Sequence, residues 1–198
     1  MNNSIQLKLI ATHLLAQREE NPARSNFPKE LVLDSTDDAI EVQKLMIYLN
    51  DQTVYGWKCM LPLDDGSIIL APLLHAPIKQ AENCPLYTTN NKALIEPEIA
   101  FILQSDLPSN KTYTNEDVDT AFASAHLALE LIQKRFDEGT PSTHIEKLAD
   151  GLSNQGVYLG PQIDKAKAYN ANTVNINVKQ TELELNLAGV HPAELAQL

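Results

Sequence analysis

The chain has few of the features that mark several large protein classes. Only two cysteines occur in 198 residues, Cys59 and Cys84, and no Cys-x-x-Cys pair is present, so neither a disulfide framework nor a cysteine zinc site is indicated. No apolar run approaches the roughly 18 residues that a membrane span requires. The N-terminus mixes its apolar residues with Gln6, Lys8, His13 and Gln17, unlike a signal-peptide core, and a cytoplasmic protein is expected. Basic residues are scarce: 15 against 26 acids give a net charge of −11, which repels phosphate backbones and anionic lipid, so neither nucleic acid nor membrane is an expected partner. The serine-nucleophile elbow Gly-x-Ser-x-Gly, the glycine loop that cradles nucleotide phosphates and the dinucleotide fingerprint are all missing.

What is present suits one globular domain of the α+β class, covering 1–198, with helical and β parts sharing a core. A helical N-terminal layer is expected over about 4–50. Its first helix runs from Ser4 to about Arg18, with Leu7, Ile10, Ala11, Leu14 and Leu15 on one face. Its second opens on a capping box, Ser35 with Asp38, ahead of Ala39, Val42, Leu45, Met46 and Leu49. From about 53 to 198 the texture is β-rich, with short apolar runs separated by Pro, Asp, Asn and Gly. Thr114 and Asp117 form another capping box and start a helix through Val118, Phe122 and Ala125; the following Leu127–Ile132 run fits helix or strand. Val174, Ile176 and Val178, then Leu183, Leu185 and Leu187, alternate with polar residues and predict a hairpin. A short helix from Pro192 is expected to end the chain.

The chemistry-bearing residues are acids in apolar company. Glu96 and Glu98, in Ile95-Glu96-Pro97-Glu98-Ile99, lie two apart, so in a strand both carboxylates share a face and can grip one hard cation. From the residues alone a solvated edge strand is the stronger explanation of an isolated Glu-Pro-Glu, and Glu182 and Glu184 make another such pair on a polar hairpin face. Glu130, between Leu127, Leu129, Leu131 and Ile132, is a candidate third ligand, and three carboxylates suit Mg²⁺ or Mn²⁺ better than zinc. His126, four residues earlier, allows a helical zinc pair with Glu130, against the blander reading of a core-edge histidine. Lys58 is a base inside an apolar strand, either paired with an anion or reaching out to water. Lys134 and Arg135 are surface charges or partners of a substrate carboxylate, and the 149–156 loop is explained by turn formation alone.

Taken in order, Gly56-Trp57-Lys58, Glu96-Pro97-Glu98-Ile99-Ala100-Phe101, Ala128-Leu129-Glu130-Leu131 with Arg135, Ala149-Asp150 to Gly160, and Gly189-Val190-His191-Pro192 resemble the fumarylacetoacetate hydrolase superfamily, in its 2-keto-4-pentenoate hydratase and oxalocrotonate decarboxylase branch. The resemblance implies a mixed β-roll with flanking N-terminal helices, and metal ligands Glu96, Glu98 and Glu130 for Mg²⁺ or Mn²⁺. It further implies catalytic Lys58 and Asp150, and substrate contacts from Arg135, Ser153 and Asn154. The implied activity is a metal-dependent hydro-lyase adding water to a small unsaturated 2-oxo acid such as 2-hydroxypenta-2,4-dienoate, a step of aromatic catabolism, with a second copy of the chain as a candidate partner. Decarboxylation or C–C hydrolysis by the same superfamily is the alternative. Two departures stand out: Lys58-Cys59-Met60-Leu61-Pro62 replaces the usual Lys-Ile-Gly-Leu-Thr/Ser, and the closing C-terminal segment of the family is not found. An incomplete β-roll, and a truncated non-catalytic relative as a further alternative, follow as expectations.

Overall fold

In the computed structural model, residues 3–18, 26–50, 53–60, 66, 68–79, 84, 86–89, 92–136, 142–171 and 184–187 are described. The chain divides into two compact units: residues 1–76 with 132–156, and 77–131 with 157–198.

The first unit is built on two helices, α1 (Asn3–Ala16) and α2 (Thr36–Leu49). Leu7, Ile10, Ala11 and Leu14 of α1 and Ala39, Val42 and Met46 of α2 repeat at helical spacing and are buried together, so each helix exists by burying one stripe against the other. Ser35 caps α2 by accepting from the Asp38 N–H, at the position the capping pattern predicts. Phe27 closes this core edge-to-face on His13 and on Phe136. A two-stranded antiparallel sheet, β1 (Gly56–Cys59) with β2 (Leu70–Leu73), completes the unit together with the short helix α4 (His144–Ala149). The buried Gln43 amide ties these parts, donating to the Leu148 carbonyl at 2.7 Å and to that of Leu70 at 3.4 Å.

The second unit is a six-stranded mixed sheet. Its strands are β3 (Ile78–Lys79), β4 (Thr88–Thr89), β5 (Lys92–Leu103), β6 (Phe122–Ile132), β7 (Asn154–Ile163) and β8 (Glu184–Leu187). The order is β3-β7-β6-β5-β4, and β8 pairs parallel with β5. β5 and β6 are therefore neighbours. Among the described residues, β4 and β8 pair with β5 at Lys92–Ile95, and Pro97, which has no N–H to give, falls beyond those pairings. Helix α3 (Asn115–Ala121) carries the predicted Thr114–Asp117 box, and α5 (Lys165–Tyr169) is anchored to it: Lys165 donates to the Asp119 and Phe122 carbonyls, and the Tyr169 hydroxyl donates to Asp119 at 2.7 Å. Phe101 stacks on Tyr169 and meets Phe122.

The α+β class and the N-terminal helices are as the sequence predicts. One element differs: the helix expected through Phe122 and Ala125 stops at Ala121, and the chain continues directly as a strand. Seven residues give a helix little apolar face to bury, whereas an extended Phe122–Ile132 gains strand partners on both sides. Of the predicted hairpin, residues 184–187 form β8; its first strand, like the helix from Pro192, lies outside the described residues.

Candidate metal centre

β5 and β6 are adjacent, and their alternation sets the centre. Glu96 and Glu98 share one face of β5, while Glu130 comes from β6 with a fully buried side chain. One carboxylate oxygen from each lies within 4.8 Å of the others, and this is the only grouping of its kind among the described residues. Two unit charges about 4 Å apart repel by roughly 1 kcal/mol in water and about 4 kcal/mol at the effective dielectric of a protein surface. Three half-buried or buried carboxylates at such spacing favour a cation among them. The donor set is all hard oxygen, which fits Mg²⁺, Mn²⁺ or Ca²⁺ and lacks the imidazole or thiolate that zinc prefers.

The helical zinc pair of His126 with Glu130 does not form. β6 is extended there, so four residues place the two on the order of 13 Å apart along the backbone. His126 instead bonds through Nδ1 to the Gly160 carbonyl and through Nε2 to the Ser124 hydroxyl, each at 3.1 Å. A carbonyl only accepts, so Nδ1 donates to it.

The other predicted residues, Lys58, Arg135, Asp150, Ser153 and Asn154, belong to the first unit. Lys58 is buried on β1, opposite Ala71 of β2. Arg135 is no surface charge: it is fully buried and its N–H groups meet protein acceptors. Nε donates to Asp150 Oδ1 at 2.6 Å, Nη1 to Gln155 Oε1 at 2.7 Å, and Nη2 to the Asn154 carbonyl at 2.9 Å. Asp150 is equally buried, and its Oδ2 has no hydrogen-bond partner among the described residues.

Sequence reasoning missed Arg18. It donates from Nη1 to the Asn154 carbonyl at 2.9 Å and from Nη2 to the Asp150 carbonyl, while Gln155 Nε2 donates to the Arg18 carbonyl at 3.0 Å. Burial, then the charge of Arg135, pushes the Arg18 guanidinium down to about 9, with Asp150 opposing. The amphipathic pattern of α1 simply runs out at Arg18, so nothing local marks it as buried.

The turn between these carbonyls explains why they need holding. α4 ends in a Schellman motif, with the Gly151 N–H on Leu148 O and the Leu152 N–H on Lys147 O. Gly151, Leu152 and Ser153 then all have left-handed φ, at 75°, 60° and 66°. Glycine adopts this freely, whereas each of the other two costs about 1–2 kcal/mol. The Gln133 N–H fixes the far side by donating to Ser153 O at 3.0 Å.

No family model matches the sequence, and no curated protein sequence matches it. The fold is shared with solved structures of 4-oxalocrotonate decarboxylase from Pseudomonas putida G7. One, complexed with magnesium and adipate, superposes with a TM-score of 0.62 at 16% identity, covering 86% of this chain and 68% of that one. Another, complexed with calcium and acetate, gives 0.54 at 16% identity, covering 83% of this chain and 65% of that one. The chain thus spans about two thirds of those structures' length.

Proposed function

We propose that this chain is a fumarylacetoacetate hydrolase superfamily lyase that acts, with Mg²⁺ or Mn²⁺, on a small unsaturated 2-oxo acid. The observation that carries the reading is the Glu96–Glu98–Glu130 carboxylate group. It stands on the shared fold of proteins whose structures were determined with magnesium and with calcium.

Glu96, Glu98 and Glu130 would hold the ion, and when bound it supplies positive charge to the substrate's carboxylate and 2-oxo oxygens. The proposal gives Lys58 the second positive charge, set against the enolate that develops in the transition state; a buried ammonium acts more strongly there than in water. Asp150 is assigned proton transfer through Oδ2, because Oδ1 is already held by Arg135. Ser153 and Asn154 are assigned to substrate contact. Arg135 supports Asp150 and the 150–155 segment; the number of its protein acceptors favours this over direct contact with substrate.

Hydration of 2-hydroxypenta-2,4-dienoate is the leading reaction, and the fold match to a decarboxylase favours loss of CO₂ as the second. Purified protein with Mg²⁺ is expected to turn over 2-hydroxypenta-2,4-dienoate or 4-oxalocrotonate, with Glu98→Gln inactive. Full activity in Glu98→Gln would overturn the ligand assignment.

A further inference from the structure

Two guanidiniums hold the turn at 150–154, and they do so by different bonds. Arg135 grips the Asp150 side chain, Nε on Oδ1 at 2.6 Å. Arg18, just beyond the end of α1, makes its hydrogen bonds to main chain instead. Nη1 donates to the Asn154 carbonyl at 2.9 Å and Nη2 to the Asp150 carbonyl, while Nη2 stays 3.9 Å from Asp150 Oδ1. One planar fork thus spans both ends of the left-handed segment Gly151–Ser153 and sets the separation of the two carbonyls. Gln155 completes the frame: Oε1 accepts from Arg135 at 2.7 Å and Nε2 donates to the Arg18 carbonyl at 3.0 Å. For stability alone this is a poor arrangement. Arg18 and Arg135 are both buried and share one buried carboxylate, and an apolar side chain of similar volume is often no less stable than such a charge. Both carbonyls, moreover, have a second donor, because Arg135 Nη2 reaches Asn154 O at 2.9 Å and Asp150 O at 3.4 Å. What Arg18 adds is a fixed position.

We propose that Arg18 is a positioning residue for the reaction, fixing the main chain of Asp150 and Asn154 so that the Asp150 carboxylate is aimed for proton transfer. The inference rests on the proton-transfer role given to Asp150 above. With Oδ1 held by Arg135, the place of Oδ2 is set by that bond and by the Asp150 backbone, and Arg18 holds the backbone. Strain makes the restraint matter. Leu152 and Ser153 stand at left-handed φ of 60° and 66°, which non-glycine residues keep only while their surroundings enforce it. A shift of about 1 Å in a group that must meet a reacting atom costs on the order of 100-fold in rate.

The test is steady-state kinetics of the full-length protein with Mg²⁺ on 2-hydroxypenta-2,4-dienoate and 4-oxalocrotonate, for the wild type, Arg18→Met and Arg18→Lys. Thermal melts and the solvent deuterium isotope effect on kcat accompany it. Arg18→Met is expected to lose about 100-fold in kcat, with KM within roughly tenfold of the wild type and a melting temperature near it. Its isotope effect should rise, because proton transfer has become the slow step. Arg18→Lys keeps the charge but not the fork, so it should recover only part of the rate; it is also the variant to read if Arg18→Met fails to fold. Wild-type kcat in a folded variant overturns the proposal. So does a rate loss with an unchanged isotope effect, which marks a structural role alone. A wild type that turns over neither acid overturns the reading of Asp150 itself, and this inference with it.

Discussion

Arg18 and Arg135 donate to the same two carbonyl oxygens, those of Asp150 and Asn154, on either side of a left-handed turn. Two guanidiniums from distant parts of the sequence thus share one task, holding a strained turn closed, with the single carboxylate of Asp150 between them.

Arg135→Met should therefore be among the more damaging substitutions in the chain. It removes the 2.6 Å partner of a fully buried carboxylate, and breaking a buried pair typically costs about 3–5 kcal/mol. Urea unfolding of the variant measures this; a change below about 1 kcal/mol would show that Arg18 alone suffices.

Strain at the turn makes opposite predictions for neighbouring positions. Ser153→Gly removes the penalty of a left-handed φ of 66° and should stabilise by up to about 1 kcal/mol. Gly151→Ala adds a Cβ 3.1 Å from the Arg18 Nη2 atom at a φ of 75°, and should destabilise by about 1–2 kcal/mol. Thermal melts of the pair read the sign directly.

Gly160→Ala should loosen β6 from β7. An added Cβ would lie 2.9 Å from the Leu127 carbonyl, a backbone atom that cannot turn aside, next to the His126 bond to Gly160 O. Overpacking of this kind costs about 1–3 kcal/mol, to be read by chemical denaturation against Gly56→Ala, whose nearest neighbour is a leucine methyl.

Acidification should weaken the fold through His75. Partial desolvation of a ring that still reaches solvent, then the charges of Arg18 and Arg135, holds its imidazole below the ordinary 6.5. As pH falls past about 6.5 the unfolded chain takes the proton first, so stability is lost from there down to the folded value; above 6.5 both states are neutral and the group contributes no slope. His75→Gln should flatten the melting-temperature profile between pH 7.5 and 5.5. An unchanged slope would place the sensitivity elsewhere.

Much of this was legible from local pattern. α1 and α2 announce themselves by apolar spacing and, for α2, by Ser35; Glu96 and Glu98 are paired by strand alternation, and Glu130 by its apolar neighbours. The outcome was hidden where long-range contact overrides local preference. β6 reads as helix or strand until its two strand neighbours decide, and with that decision the His126–Glu130 zinc pair disappears. Arg18 was invisible because its partners, Asp150 and Asn154, lie more than 130 residues away. The orientation of Lys58 was open from the residues alone, and only its burial opposite Ala71 shows that it faces in.

The carboxylate centre is tested most directly by a thermal melt of the wild type and Glu130→Gln in EDTA, Mg²⁺ and Mn²⁺. Ligand at about 100 times its dissociation constant adds about 2.7 kcal/mol, or roughly 5–10 °C for a chain of this size, so the wild type should rise by that order with metal and the variant should not. Equal melting temperatures for the wild type in EDTA and in either metal would contradict the metal site, and with it the proposed chemistry.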